Sequence, residues 1–344
     1  MPNPTLPSRS DYPHNNGRKH ATNLGEIFHQ AQLQEDLAAV ELLMLERVSR
    51  GSPPLAEAGK HIVVAGGKRL RAALVLLAGR LCGDDFERAS HPAIAIELLH
   101  AASLIHDDLV DNAGQRRGCT TVHARWDKDV ALMLGDFLFG LASHELANEP
   151  DTRIIRFYVD AAQTMVEGEL NPVTRLEPIE TSLAQYWRKI GAKTAVLFEA
   201  ACKAGVAVAG ATDEQIEALG RFGYDLGLAF QVVDDVLDFT GNEATLGKPA
   251  GNDLREGTLT LPLIYAVHAS TSPILRELAH TARPHPAQVP AIIDAVLAAG
   301  GDTRAMSDAR NLIERAKSHL QIFPNTITRR ALFDIGEFVL SRHS

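Results

Sequence analysis

Residues 226–238 read Leu226-Gly227-Leu228-Ala229-Phe230-Gln231-Val232-Val233-Asp234-Asp235-Val236-Leu237-Asp238, an apolar run closing in Asp-Asp-x-x-Asp. The surrounding stretch, 213–239, spaces its apolar residues with helical rather than alternating period, so the aspartates ride on a helix. Residues i and i+4 share a helix face, which sets Asp234 beside Asp238. Like charges at that spacing repel and destabilise a bare helix, and the apolar run implies that the helix is buried. Buried carboxylates require partners or a metal ion.

A second copy occurs upstream in His106-Asp107-Asp108-Leu109-Val110-Asp111, again after an apolar run, 101–105. Chance supplies about 0.1 such triplet in a chain of this composition, and two copies with well under about 1% frequency. Carboxylate oxygens without Cys or His suit Mg²⁺, which keeps waters and shares itself with substrate phosphates. Two acidic helices facing one cavity would grip a diphosphate through metal and ease its departure. The competing explanation, a solvated acidic face, is credible for one triplet and weak for two.

Outward from these helices the pattern stays helical at 33–50, 93–111, 130–146, 154–170 and 182–209. It resumes at 259–270, 290–299, 304–320 and 327–341. Asp213 is the expected N-cap of the long helix, and Thr181 or Ser182 that of the one before it. No stretch alternates as a strand would. The Gly-rich segment 241–257 reads as a functional loop. Residues 1–25, rich in Pro and polar groups, read as a mobile tail. The expected organisation is all-α, one helical bundle over 26–344 with a central cavity.

Composition narrows the function. Lys and Arg number 34 against 43 Asp and Glu, a net charge of −9, which argues against a nucleic-acid partner. Hydrophobic residues make up 45% of the 344, enough for a large core rather than a disordered chain. No apolar run approaches the ~18 residues of a membrane span. No secretory signal is expected at the N-terminus, and the three cysteines, Cys82, Cys119 and Cys202, form neither a disulfide framework nor a zinc site. A cytoplasmic setting follows. Cations gather at Gly66-Gly67-Lys68-Arg69-Leu70-Arg71, where a Gly-to-helix junction favours anions, and at Arg116-Arg117-Gly118, Lys193 and Lys248. Singly each would be a surface charge; together they describe an anion site.

At these residues the sequence resembles the trans-prenyltransferases, the polyprenyl (isoprenyl) diphosphate synthase family. The likeness runs in order through 66–71, 104–112, 116–118, Gly135-Asp136-Phe137-Leu138, Lys193-Thr194, 230–238, Gly247-Lys248-Pro249 and Leu261-Pro262. It implies an isoprenoid synthase-type helical bundle that condenses isopentenyl diphosphate with an allylic diphosphate. Carried over position by position, Asp107, Asp108, Asp111 and Asp234 would bind Mg²⁺, up to three ions with substrate, with Asp235 and Asp238 binding weakly or indirectly. Arg116, Lys193 and Lys248 would hold the allylic diphosphate; Lys68, Arg71, His100 and Arg117 would hold isopentenyl diphosphate. Thr194 and Gln231 would flank the reacting carbons. Ionisation, condensation and proton loss would follow, with released pyrophosphate as base. A homodimer, and transient membrane contact on product release, are also implied. Thr258 and Pro172 depart from the family's usual Lys and Gln.

Product length follows from steric filling. Ala102 and Ser103, one turn before Asp107, are expected to line the product shaft about 6 Å further down. Both are small, so the expected product is long, hexaprenyl or longer. Phe139 is the candidate blocker if the product is instead farnesyl or geranylgeranyl diphosphate. A terpene cyclase would mix Asn, Ser or Thr with Glu in its second metal motif and has less need for a second diphosphate site. A di-iron carboxylate bundle would use Glu-x-x-His pairs, which occur at Glu26/His29, Glu97/His100 and Glu277/His280. A non-catalytic regulatory subunit would not keep both acidic triplets and the cations. His106 and Asp136 read as bracing groups, Tyr186 and Trp187 as core, and Arg342 as a cation able to reach the mouth.

Overall fold

A computed structural model of the chain describes residues 23–83, 86–116, 118–174, 176, 178–241, 250–278 and 284–342. The first half holds α1 (Leu24–Gln30), α2 (Gln34–Val48), α3 (Pro53–Ala65), α4 (Leu70–Leu81), α5 (Phe86–Val110), the short α6 (Val122–Arg125), α7 (Lys128–Leu146) and α8 (Thr152–Glu169). The second half holds α9 (Ile179–Ile190), α10 (Val196–Val208), α11 (Asp213–Thr240), α12 (Asn252–Glu256), α13 (Leu261–Ala269), α14 (Pro273–Leu278), α15 (Val289–Ala298), α16 (Gly301–His319) and α17 (Ile327–Ser341). The all-α expectation is met, with one addition. A two-residue hairpin, β1 (Gln115–Arg116) with β2 (Cys119–Thr120), pairs antiparallel directly after the first acidic triplet.

Helix α4 is apolar on every side except at Arg71 and Arg80, and such a helix has to be covered all round. Its neighbours are α5 and α10, while α10 also packs on α11 and α11 on α16. The α4–α10 contact is close because Gly205 faces the carbonyl of Val75, where an added Cβ would sit at 2.2 Å. One apolar cluster runs from Leu24 on α1 to Val339 on α17.

Three local expectations are corrected. The long helix starts at Thr212, not Asp213: the Thr212 hydroxyl accepts the Gln215 N–H while the Gln215 side chain accepts the Thr212 N–H. The preceding helix starts after Pro178 rather than at Thr181 or Ser182, and residues 182–209 are interrupted by a π turn, Gly191–Ala195. Near the N-terminus, Leu24 and Ile27 are already buried in α1, capped by Asn23; residues 1–22 lie outside the described residues. Among the described residues no helix is long and apolar enough to cross a membrane.

Buried charge also ties the helices together. On α7, Glu145 has a side chain only 1% exposed and accepts Arg47 Nε of α2 at 2.5 Å and pairs with His91 Nδ1 of α5 at 2.8 Å. Burial raises its carboxyl pKa, but Arg47 and His91 outweigh that and hold it below the usual range. Glu145→Ala, which leaves the mostly buried Arg47 only the exposed Glu46 at 3.2 Å, is expected to cost about 3 kcal/mol of stability. Because the folded pKa lies below the unfolded value of about 4.3, the stabilisation is complete above that value and vanishes as pH falls through the folded pKa. The melting-temperature gap between wild type and Glu145→Gln should therefore shrink below about pH 4, and a gap constant through that window would contradict the assignment.

Candidate active site

One cavity of about 850 Å³ collects most of the singled-out side chains. Lys68 reaches it from the α3–α4 junction, Arg71 from the first turn of α4, His100, Ser103, Asp107 and Asp108 from α5, and Asp111 from just past the end of α5. Arg116 reaches it from the hairpin, Phe139 from α7, Lys193 and Thr194 from the π turn, and Gln231 and Asp234 from α11. The structure places three others elsewhere. Ala102 is fully buried and does not line the cavity. It stands five residues from Asp107, about 140° around the helix, whereas Ser103, four residues away, lies within about 40°. Asp235 and Asp238 are buried behind the cavity wall. Arg117 and Lys248 lie outside the described residues.

The two buried aspartates have structural employment. Asp235 accepts the Tyr186 hydroxyl at 2.6 Å and the Gln231 amide at 2.9 Å, and Gln231 in turn accepts the Thr194 hydroxyl at 2.8 Å. Burial, and then the neighbouring Asp253, push the Asp235 carboxyl well up, against the pull of those hydrogen bonds. Asp238 accepts the N–H groups of Asn252 and Asp253 at 3.2 and 3.0 Å, capping α12, a short helix within the 241–257 segment expected to be a loop; residues 242–249 lie outside the described residues. The Asp234–Asp238 face therefore ends under α12 rather than in the cavity.

Each of three cavity aspartates faces a cation. Lys193 Nζ stands 3.6 Å from Asp107 and 2.6 Å from Glu169; Arg116 Nε is 2.6 Å from Asp108; Arg342 Nη2 is 2.6 Å from Asp234. Arg342 also lies over the Phe230 ring at 4.4 Å. Burial raises the Asp107 carboxyl above the ordinary range; Lys193 opposes this, while Glu169 and Asp111 add to it. Burial raises Asp108 too, against Arg116. Burial pulls the Lys193 ammonium pKa down, but Asp107 and Glu169 outweigh it and raise it above the ordinary value. Among the described residues no three acidic, His or Cys groups converge as a ready metal cage. The donor set is nevertheless all oxygen, with Asp108 buried, Asp107 and Asp234 partly buried, and each of the three met by Lys or Arg. That fits a hard divalent cation.

Neighbouring packing holds the cationic side chains in place. The π turn carrying Lys193 and Thr194 is wedged between α8 and α11, since an added Cβ at Gly168 would sit 2.4 Å from Ala192 and one at Gly227 2.7 Å from Ala195. His106 braces α5 on α7: its ring fills the space over Gly135, its Nε2 lies 3.3 Å from the Leu132 carbonyl oxygen, and it stacks near Phe139 at 6.3 Å. Asp136 stands 3.8 Å from that nitrogen.

Sequence reasoning missed Glu169, and nothing in its local pattern marks it as the partner of Lys193. It also read Tyr186 as core alone. Glu97 of the Glu97/His100 pair is occupied by the backbone N–H of Ala72 at 3.1 Å and by Arg69 at 3.5 Å, so it is not a free iron ligand. His280 lies outside the described residues.

The polyprenyl synthetase family model matches residues 52–296. The chain belongs to that family. It is a trans-prenyltransferase, a polyprenyl diphosphate synthase in class. The heptaprenyl diphosphate synthase component 2 of Geobacillus stearothermophilus is 36% identical over 314 residues, covering 90% of this chain and 97% of the relative. The octaprenyl diphosphate synthase of Haemophilus influenzae is 35% identical over 315 residues, with 90% and 94% covered. The crystal structure of the polyprenyl synthase from Caulobacter crescentus, complexed with calcium and isoprenyl diphosphate, superposes with a TM-score of 0.87 at 34% identity, over 95% of this chain and all of that one.

Proposed function

We propose that this enzyme, acting as one catalytic unit over residues 26–344, joins isopentenyl diphosphate head to tail to an allylic diphosphate and extends the product to hexaprenyl or longer. The observation that carries this is the one cavity bordered by four aspartates and by cations on different elements. One set, Arg116 and Lys193 with Lys248, would hold the allylic diphosphate. The other, Lys68, Arg71 and His100 with Arg117, would hold isopentenyl diphosphate. Two diphosphate grips in one cavity suit a condensation and exceed what a cyclase needs.

Asp107, Asp108, Asp111 and Asp234 would hold Mg²⁺, up to three ions with substrate, which when bound neutralises the departing diphosphate. Arg116 and Lys193, already poised on Asp108 and Asp107, are within the same cavity to take up phosphate oxygens. Thr194 donates its proton to Gln231, which leaves its oxygen lone pairs available to positive charge developing on carbon. Asp235 and Tyr186 hold Gln231 in that orientation. The final proton passes to released pyrophosphate, the strongest base at the reacting carbons.

Long product is supported by Ser103, a small residue on the cavity face one turn below Asp107, and by the long-chain names of the relatives. A homodimer is supported by exposed apolar side chains outside the cavity, Ile155 and Val159 on α8 and Leu132 and Met133 on α7. The cytoplasm is supported by three unpaired cysteines, and a long apolar product would leave through transient membrane contact.

The test is stoichiometry. With Mg²⁺ and an allylic primer, one pyrophosphate should appear for each isopentenyl diphosphate consumed. Pyrophosphate release without isopentenyl diphosphate consumption would mean cyclase chemistry instead.

A further inference from the structure

Four residues, 66–69, turn the chain from α3 into α4. Gly66 is in a positive-φ conformation, as expected where a helix ends, but so is Arg69, with φ +47° and ψ +34°. A long L side chain rarely adopts that left-handed region; Gly or Asn is the ordinary choice. Something must hold Arg69 there.

The holding contacts come from three helices. Arg69 Nε donates to Glu41 of α2 at 2.8 Å, Nη2 donates to the Val63 carbonyl of α3 at 2.8 Å, and Nη1 stands 3.5 Å from Glu97 of α5. Glu97 is itself buried, and its other oxygen accepts the Ala72 N–H in the first turn of α4 at 3.1 Å. Glu97 thus serves as the cap that Arg69, at the N-cap position, does not supply. On either side of this anchor, Lys68 lies over Phe338 of α17 at 5.0 Å and Arg71 over Phe198 of α10 at 4.8 Å, both rings lining the cavity.

We propose that Arg69 is a positioning residue: pinned by Glu41, Val63 and Glu97, it fixes the left-handed turn that presents Lys68 and Arg71 to isopentenyl diphosphate. The proposal rests on the assignment of Lys68 and Arg71 to that substrate. Relaxing residue 69 from φ +47° to the right-handed region near −60° rotates the chain between them and separates the two cations from their common target.

The experiment measures KM for isopentenyl diphosphate, KM for the allylic diphosphate and kcat, in full-length Arg69→Ala, Arg69→Lys and Glu97→Gln, with Lys68→Ala and Arg71→Ala as references. Arg69→Ala and Arg69→Lys should raise KM for isopentenyl diphosphate about tenfold or more while the allylic KM stays within about twofold, because displacement of a gripping group by about 1 Å has effects of this size or larger. Lysine cannot span three partners and should not rescue. Glu97→Gln retains an oxygen for Ala72 and should shift the same KM in the same direction, but less.

An unchanged isopentenyl diphosphate KM in Arg69→Ala, with Lys68→Ala and Arg71→Ala raising it, would overturn the positioning role alone. No effect in any of these variants would overturn the substrate assignment with it. If Arg69 gripped phosphate directly, releasing it in Glu97→Gln would lower that KM, which also overturns the proposal. Circular dichroism and melting temperature identify any variant that fails to fold. In that event Glu41→Gln, which alters a half-exposed partner, carries the same KM test.

Discussion

Asp107→Ala should lower kcat on the order of 10³-fold or more and leave the melting temperature unchanged or raised. The two halves of that result have one cause. Asp107 borders the cavity, and burial together with Glu169 and Asp111 makes its ionised form unfavourable in the folded chain. The pair with Lys193 is long, 3.6 Å, and Lys193 keeps Glu169 at 2.6 Å when Asp107 is removed. Folding therefore loses little, and repulsion among the acids is relieved. On the proposed mechanism, catalysis loses an oxygen that would hold the metal assisting departure of the diphosphate. Asp234→Ala should lower kcat alike, but it takes from the mostly buried Arg342 its carboxylate and so should also cost stability. Steady-state kinetics and thermal melts in metal-free buffer check these expectations. Full activity in either variant would remove the metal mechanism, and a large fall in the melting temperature of Asp107→Ala would assign Asp107 to the fold instead.

Ser103→Phe should shift the main product to geranylgeranyl diphosphate or shorter. Ser103 lies on the Asp107 face of α5 about 6 Å further along the helix axis and lines the cavity. A phenyl ring there occupies the path of a growing chain. The neighbouring position behaves differently. Ala102 is fully buried in packing, so Ala102→Phe overfills the core at a cost of about 1–3 kcal/mol and should lower stability before it changes product length. Phe139→Ala, which clears a ring from the cavity wall, should lengthen the product or leave it unchanged. Chromatography of dephosphorylated products reads all three. An unshortened product from folded Ser103→Phe would mean that the shaft runs along another wall.

Helix type and most boundaries were legible because amphipathic spacing and buried apolar runs act locally. Helix α2, expected over 33–50, spans Gln34–Val48, and the last helix matches at both ends. Two errors were avoidable from sequence geometry alone. Thr212-x-x-Gln215 is a capping box, and 100° per residue separates Ala102 from Ser103. Other features depend on contacts between distant segments. Gly191-Ala192-Lys193-Thr194-Ala195 has nothing in its own composition that demands a π turn; Gly168 and Gly227, on other helices, let the chain bulge there. Asp238 shares a helix face with Asp234, as spacing requires, but α12 returns to cover it. Arg342 reaches Asp234 across 108 residues of sequence, a partnership that no local pattern encodes.

The most direct measurement is product analysis with isopentenyl diphosphate, Mg²⁺ and geranyl, farnesyl or geranylgeranyl diphosphate as primer. Hexaprenyl or longer all-trans diphosphates should accumulate, with isopentenyl diphosphate consumed in proportion. Arrest at farnesyl or geranylgeranyl diphosphate would contradict the long-chain product, and no consumption of isopentenyl diphosphate would contradict the condensation itself.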